Sequence, residues 1–402
     1  MAVTYIGAAP TVAQVTTATV NSATSSDTYI LTTGNGASVT YTAGGSDTVT
    51  SIAAGLVTLM LNSGAPEFTE NTIASLAGVI TVTGNANGMP FTLTGSGTGS
   101  MTVATPTAPS SPNDVSLAAN YSGGAVPTSG TLTLEDTAVD LLWNLSALTN
   151  AVSLIRRYSA TMTIGLPDVN ANGYPEYRPT HLAIKGTSIL IEQPTTDQAQ
   201  QIRIVGTAAG AATVSVLGSG ATAQLGSECL EITGLASTSA IYVSAGSVTV
   251  APFAAQTAVV ATINGENSTI SCGVGVTLTT ASLLNCTTSL RCSYTTLTMS
   301  GTGNCTVEGS AAGTNTIVAG GTLTWQSTGS PGATPVIGST GVFDFSDAPA
   351  SISGITGFTL NSGGSLLDPA GRLAGGYTVT LAYCDVPQVT WSIGVNQTVT
   401  VA

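Results

Sequence analysis

The residues best placed to do chemistry lie in one short run, Asp168-Val169-Asn170-Ala171-Asn172-Gly173-Tyr174-Pro175-Glu176. Its D-x-N-x-N-G spacing sets oxygen ligands at alternate positions and a glycine at the sharp bend, the first half of a loop that wraps calcium. The twelfth position is Pro179 and not the bidentate glutamate such a loop needs. Two readings stand: a calcium or sodium site using Asp168, Asn170, Asn172 and Glu176, or a turn built from Asn, Gly and Pro. The turn is the simpler, and no metal or cofactor is assigned.

His181 is the one histidine, so any Ser/His or Cys/His nucleophilic site has to use it. No G-x-S-x-G elbow is present, and His181 reads as a satisfied or surface residue beside Pro179. Grouped carboxylates (Glu135, Asp136 and Asp140; Glu228 and Glu231; Asp344 and Asp347) raise the chemistry of polysaccharide lyases and hydrolases. A lyase also needs a base and a cation to stabilise the substrate carboxylate. Between Lys185 and Arg372 the only cations are Arg203 and Arg291, so no catalytic residue is assigned.

The six cysteines form no C-x-x-C pair. Cys272, Cys286, Cys292 and Cys305 take alternate strand positions where neighbouring repeats carry Val, Leu, Ala or Trp. They read as small buried apolar residues, with disulfides between rungs or a metal as the alternatives.

The elements that would position these residues are strands. Charged residues are 7% of the chain and aromatics 5%, with 47 glycines among much Thr, Ser, Ala and Val, a mix that favours short strands and tight turns. A hydrophobic fraction of 43% means a real core. Net charge is −13 with a single lysine, so no basic stripe is available for nucleic acid or an anionic membrane surface. The N-terminal MAVTYIGAAPTVAQV lacks the basic and apolar regions of a secretory signal, and no run of about 18 apolar residues is present to span a membrane.

Between about residues 182 and 401 a pattern repeats: two alternating apolar runs about a Gly-containing turn. AIYVSAGSVTV (240–250), ATINGENSTISC (261–272), LLNCTTSLRC (283–292), LTMSGTGNCTV (297–307), TIVAGGTLTW (316–325), VIGSTGVFDF (336–345) and FTLNSGGSLL (358–367) are its clearest copies. Their first inward candidates are Ile241, Ala261, Leu284, Leu297, Ile317, Ile337 and Phe358. A period near twenty residues carried by strand alternation predicts a parallel β-helix, or β-solenoid, whose rungs bury their apolar faces on one another. Roughly eleven rungs would make a rod on the order of 50 Å long.

The chain therefore divides into an N-terminal arm (1–27), a small α+β module (28–103), a Pro-rich linker (104–113), a solenoid cap (114–180) and the β-helix (181–402). The module reads as hairpin, helix, hairpin. One hairpin turns at Gly34-Asn35-Gly36. The helix carries Val49, Ile52, Leu56, Leu59 and Met60, with Asp47 as N-cap and a stop at Asn62-Ser63-Gly64. PEFTENTIA (66–74) adds a strand or short turn, and the second hairpin spans 78–97 with its tip at Asn85-Ala86-Asn87-Gly88. Trp143, Leu141, Leu142, Leu145 and Leu148 would supply the cap.

DTYILTTGNGASVTYTAG, the helix, PEFTENT and GVITVTGNANGMPFTLT together resemble a small module of tailed-bacteriophage structural proteins. NYSGGAVPTSGTLTLEDTAVDLLWNLS, IGLPDVNANGYPEYRPTHLAIKG and the Gly-rich repeats resemble the remainder of such a virion protein. The resemblance implies a non-enzymatic head decoration, head fibre or spike on the virion surface. It also implies assembly in the host bacterial cytoplasm, release by lysis, other capsid or tail proteins as partners, and a homo-oligomer such as a trimer. A receptor-binding tail fibre that recognises a host glycan is the alternative, although Trp143, Trp325 and Trp391 are dispersed.

Overall fold

The computed structural model describes residues 2–148, 151–193, 201–207, 210–218, 230–236, 238–251, 258–349, 351–374, 376–382, 390–393 and 399–401. The chain is mainly β, a parallel solenoid of about 11 turns with a small strand-rich module at its N-terminal side. Each strand pairs in parallel with the strand one turn further on, so equivalent side chains stack in columns. One column runs Ile189, Val214, Ile241, Ile263, Ala281 and Leu297. On the opposing sheet another runs Ile232, Val250, Cys272, Leu290, Val307 and Trp325. All of these are buried in one continuous core. Burying an aliphatic side chain of this size contributes about 1.5–3 kcal/mol, and no single rung could do so alone.

Turn length is less regular than a period of twenty. Ala281 pairs with Leu297, 16 residues on, whereas Leu154 pairs with Ile189, 35 residues on. Of the inward candidates, Ile241, Leu297, Ile337 and Phe358 are buried in the core. Ala261, Leu284 and Ile317 point the other way, and the inward residues there are Ile263, Leu283 and Val318. Strand side chains alternate with period two, so a one-residue error of phase reverses the face. Phase is hard to carry past Ser239/Ala240 and Val318/Gly320, where bulges shift the register.

The solenoid begins earlier than residue 181. Gly130–Leu134 pairs in parallel with Val152–Arg156, and that strand pairs in turn with Ser188–Glu192. The segment expected as a cap thus holds the first turns, with Leu141, Leu145 and Leu148 buried in the common core. The first strand of all is Ala2–Thr4, which stacks in parallel on Gly130–Leu134. Tyr5 follows it into the core, edge-on to Tyr121 at 5.3 Å, and its hydroxyl donates to the Pro112 carbonyl at 2.5 Å. Residues 1–27 are therefore not one arm.

The module is an insertion between this first strand and the rest of the rod. Its chain enters and leaves at Val12 and Ser110, which face each other in an antiparallel bridge. One sheet has the order Thr72–Leu76, Val79–Thr83, Val15–Val20, Met101–Thr107, and the other Ser38–Thr42, Thr28–Thr33, Leu93–Gly97. The expected linker begins as the strand Met101–Thr107, and Pro106 is tolerated because that strand lies at a sheet edge.

The helix Val49–Asn62 buries Ile52, Ala53, Leu56 and Met60. Its N-cap is Thr48, in a capping box with Ser51, and Asp47 instead accepts from Ser51 Oγ and the Gly44 N–H. The first hairpin forms as its Gly-Asn-Gly turn predicts. The second does not: Val79–Thr83 and Leu93–Gly97 join different sheets, and the real hairpin pairs Thr72–Leu76 with Val79–Thr83. Its turn is Ala77-Gly78, both at positive φ (49° and 86°), the conformation of a tight two-residue hairpin.

The module's core is separate from that of the rod. Replacing residues 13–109 by a short Gly-Ser linker should therefore leave a folded solenoid. Deleting 1–110 also removes Ala2–Thr4 and Tyr5, and should cost about 3–5 kcal/mol more, the range for losing a buried aromatic. Thermal and denaturant unfolding of the two variants checks this; equal stabilities would count against the pairing of the first strand.

Candidate functional site

After the strand Val152–Arg156 the chain rejoins the ladder at Ile164 and again at Leu182–Ile184, and between those two points it makes an excursion that carries much polar chemistry. Arg156 occupies an inward position, paired with Leu134 and Ile191. Its guanidinium is buried and donates to the carbonyls of Glu192 (2.8 Å) and Ala160 (2.6 Å), tying the end of one strand to the corner that follows its neighbour. Burial lowers its pKa to about 10.

The D-x-N-x-N-G run forms a turn in which its four candidate ligands look in different directions. Asp168 receives both terminal nitrogens of Arg203, at 2.6 and 3.0 Å. Asn170 Oδ1 accepts from the backbone N–H of Asn172 and Tyr174, while its Nδ2 donates to Glu70 Oε1. Asn172 contributes its backbone N–H, and Glu176 clamps Arg178 through both carboxylate oxygens at 2.8 and 2.9 Å. No group of three or more His, Cys, Asp or Glu side chains among the described residues could hold a metal ion.

This turn is a clasp between rod and module. Glu70 of the module, buried to 2% side-chain exposure, accepts from Tyr177 Oη at 2.8 Å and Arg178 Nη1 at 3.4 Å. Arg178 also lies over the rings of Trp143 (5.3 Å) and Tyr177 (4.7 Å) and contacts Met89 Sδ. Met89 comes from the module yet packs in the rod's core. A guanidinium bound by two carboxylates and faced by two rings is a strong, directional joint.

His181 is buried within a second network just beneath. Its Nδ1 is 2.9 Å from Thr180 Oγ1 and its Nε2 is 3.3 Å from Glu231 Oε1. Glu231 also meets Arg203 Nε at 3.2 Å, so Asp168, Arg203, Glu231 and His181 form one chain of charged and polar groups across adjacent turns. The hydroxyl, imidazole and carboxylate have the elements of a nucleophilic triad, but Thr180, His181 and Glu231 are each less than a tenth exposed. The arrangement stitches turns together. Arg203 holds the Asp168 carboxyl below its ordinary range, so this contact stabilises the fold above about pH 4 and is lost as pH falls through the folded-state value.

The other carboxylates are engaged separately. Asp140 accepts from the Thr163 N–H, Asp344 from the Ser346 N–H, and Glu135 from Thr4 Oγ1. Glu228 lies outside the described residues. Cys272, Cys286, Cys292 and Cys305 are buried and free. Cys272 is hydrogen-bonded to Cys292, which together with burial raises its pKa, and burial, with the nearby Cys292 and Cys286, pushes Cys305 up. Cys229 and Cys384 lie outside the described residues.

The chain matches no protein-family model, no curated protein and no solved structure. Glu67, Glu70, Trp143 and Arg178 were missed as one constellation because a hundred residues separate the module's side chains from the loop's. One signal was available: five of the seven cations, Arg156, Arg157, Arg178, Lys185 and Arg203, fall between 156 and 203, the stretch that includes the excursion between Ile164 and Leu182.

Two outcomes follow for these networks. Arg203→Met strands Glu231 without its cation and should destabilise by about 3–5 kcal/mol, with a smaller loss in the Arg203→Met/Glu231→Gln double variant. Denaturant titration of the three proteins measures both. In a Cys229→Ser/Cys384→Ser background, the four remaining thiols should resist a disulfide reagent in the native protein and all react on unfolding.

Proposed function

We propose that the protein is a non-enzymatic structural component of an assembled particle, a rigid spike or surface decoration of the kind found on tailed-bacteriophage virions. The observation that carries this reading is the clasped insertion: a separately cored module held at the first turns of a stiff rod. Such a part can be anchored by one piece while the other projects. The rod's outward columns support the same reading, because they are plain. Ser247, Thr269, Thr287, Asn304 and Thr322 stand in one, and Thr249, Ser271, Ser289, Thr306 and Thr324 in the next. Short side chains lose little entropy on burial, which suits packing against sister subunits, including a trimer, or against other particle proteins.

The carboxylates argue in the same direction, since those described above are engaged by backbone N–H groups, hydroxyls or arginines. One feature favours a receptor-binding role as the second reading. An outward groove of about 430 Å³ crosses several turns, lined by Tyr242, Asn264, Glu266, Leu217 and Leu284. Tyr242 is 46% exposed there, an aromatic face beside hydrogen-bonding groups.

Cryo-electron microscopy of particles from the source decides between them. Hundreds of copies on a shell or along a tail are expected for a decoration, and a handful at a tail tip would favour receptor binding. Absence from any particle would overturn both.

A further inference from the structure

Four buried thiols lie within three turns of the rod, and two of them meet. Cys272 ends the strand Thr269–Cys272 and pairs with Leu290 one turn further on. Cys292 follows Leu290 by two residues, just past the end of its strand, and the N–H of the intervening Arg291 donates to the Cys272 carbonyl at 2.9 Å. The two side chains enter the same core, at 0% and 3% exposure, and their sulfurs are hydrogen-bonded to each other. Column packing does not call for a pair of thiols there, since the stacked neighbours of Cys272 are Val250 and Leu290.

The other two thiols are placed differently. Cys286 Sγ donates to the Leu284 carbonyl at 3.3 Å, and the fully buried Cys305 stacks between Thr288 and Leu323. Within the Cys272–Cys292 pair the proton stays on Cys272. Its hydrogen bond to Cys292, together with burial, holds its pKa high, and the same hydrogen bond brings Cys292 below its ordinary value. Cys292 is therefore the more easily ionised sulfur, with Cys272 in reach of it. The adjoining Arg291 side chain is 60% exposed, so a small oxidant has only the corner of one turn to cross, whereas a bulky reagent meets the packed core.

We propose that Cys292 and Cys272 are an oxidisable pair: a peroxide converts Cys292 to a sulfenic acid, and Cys272 resolves it to a disulfide that staples two adjacent turns. In the first step the Cys292 thiolate attacks one oxygen of hydrogen peroxide. The S–O bond forms, the O–O bond breaks, and the departing hydroxide takes up the proton that Cys292 released. In the second step Cys272 gives up its proton and its sulfur attacks Cys292 Sγ. The S–S bond forms, the S–O bond breaks, and the hydroxide leaves with that proton as water. Two thiols and one peroxide thus give one disulfide and two waters, the two sulfurs having passed two electrons to the peroxide. The staple forms once the rod leaves a reducing compartment, whatever the protein is mounted on.

The full-length chain, purified reduced, is treated with hydrogen peroxide under native conditions and quenched with catalase. It is then denatured in N-ethylmaleimide and mapped by mass spectrometry without reduction. A peptide pair joined through Cys272 and Cys292 is expected, with Cys286 and Cys305 alkylated. The cross-linked protein should melt at a higher temperature than the reduced one, and dithiothreitol should reverse the shift. Cys272→Ala should abolish the cross-link and leave Cys292 open to dimedone, which traps sulfenic acids, while Cys292→Ala should leave Cys272 reduced. Thermal melts establish that each variant is folded, and the map of the unsubstituted chain stands without them. Four alkylated thiols after peroxide, or a cross-link through Cys286 or Cys305 instead, would overturn the proposal. So would a cross-linked form that melts lower than the reduced one, or oxidation of Cys272 undiminished in Cys292→Ala.

Discussion

Everything in this molecule answers to one constraint, the parallel hydrogen-bonded ladder that fixes each turn about 4.8 Å above the last. At that spacing an inward side chain always meets its own equivalents, so each interior column must stay apolar and compatible in volume over many turns. The columns solve this by local compensation: the larger Ile263 and Leu297 flank Ala281, and Met299 and Leu283 sit above the gap left by Gly265. Toward the C-terminal end the interior becomes aromatic, with Trp325, Phe343, Phe345, Phe358 and Tyr377 forming a connected series of ring contacts. The buried thiols belong to the same logic. Cys272 lies between Val250 and Leu290 in its column and Cys305 between Thr288 and Leu323, each filling a small apolar place.

The ladder was legible in the sequence because its cause is periodic. Strand alternation and recurring glycine announce a solenoid, and about half of the named inward residues follow from counting alone. Counting fails where the chain inserts a residue, as at Ala261, opposite the register shift between Ser239 and Ala240, because nothing local marks the phase of the next strand. Hairpin partners were misread for a similar reason. Asn-rich 85–88 has the composition of a turn, but the nine residues from 84 to 92 are too many for a tight one. Ala77-Gly78 supplies the turn geometry with only one residue of conspicuous type.

The polar networks were less legible, since they depend on which segments the fold brings together. The calcium-like spacing of Asp168, Asn170 and Asn172 is real, yet the turn it makes is organised by Arg203, Glu70 and Arg178, residues drawn from other turns and from the module. A sequence motif specifies what a loop can offer, and the surrounding charges decide what it does. Here a carboxylate set suited to a cation meets guanidinium groups already held in place, and Arg178 in particular takes two carboxylates at once.

That concentration of charge also explains why the inserted module is tolerated. A regular turn has no means of holding a foreign body, because its outward residues are short and its inward ones are committed to the column. Where the chain runs out of the ladder between Ile164 and Leu182, which each pair with adjacent turns, long side chains become available in both directions. Just before it Arg156 reaches inward to the Glu192 and Ala160 carbonyls, while Tyr177 and Arg178 reach outward to Glu70 and hold the module. The cost of breaking the repeat is thereby confined to one place, and the turns after it need no special residues to tolerate it. The same interruption creates a cavity at Glu67 and Trp143, because two independently cored bodies joined through a polar clasp cannot interdigitate as a single core does.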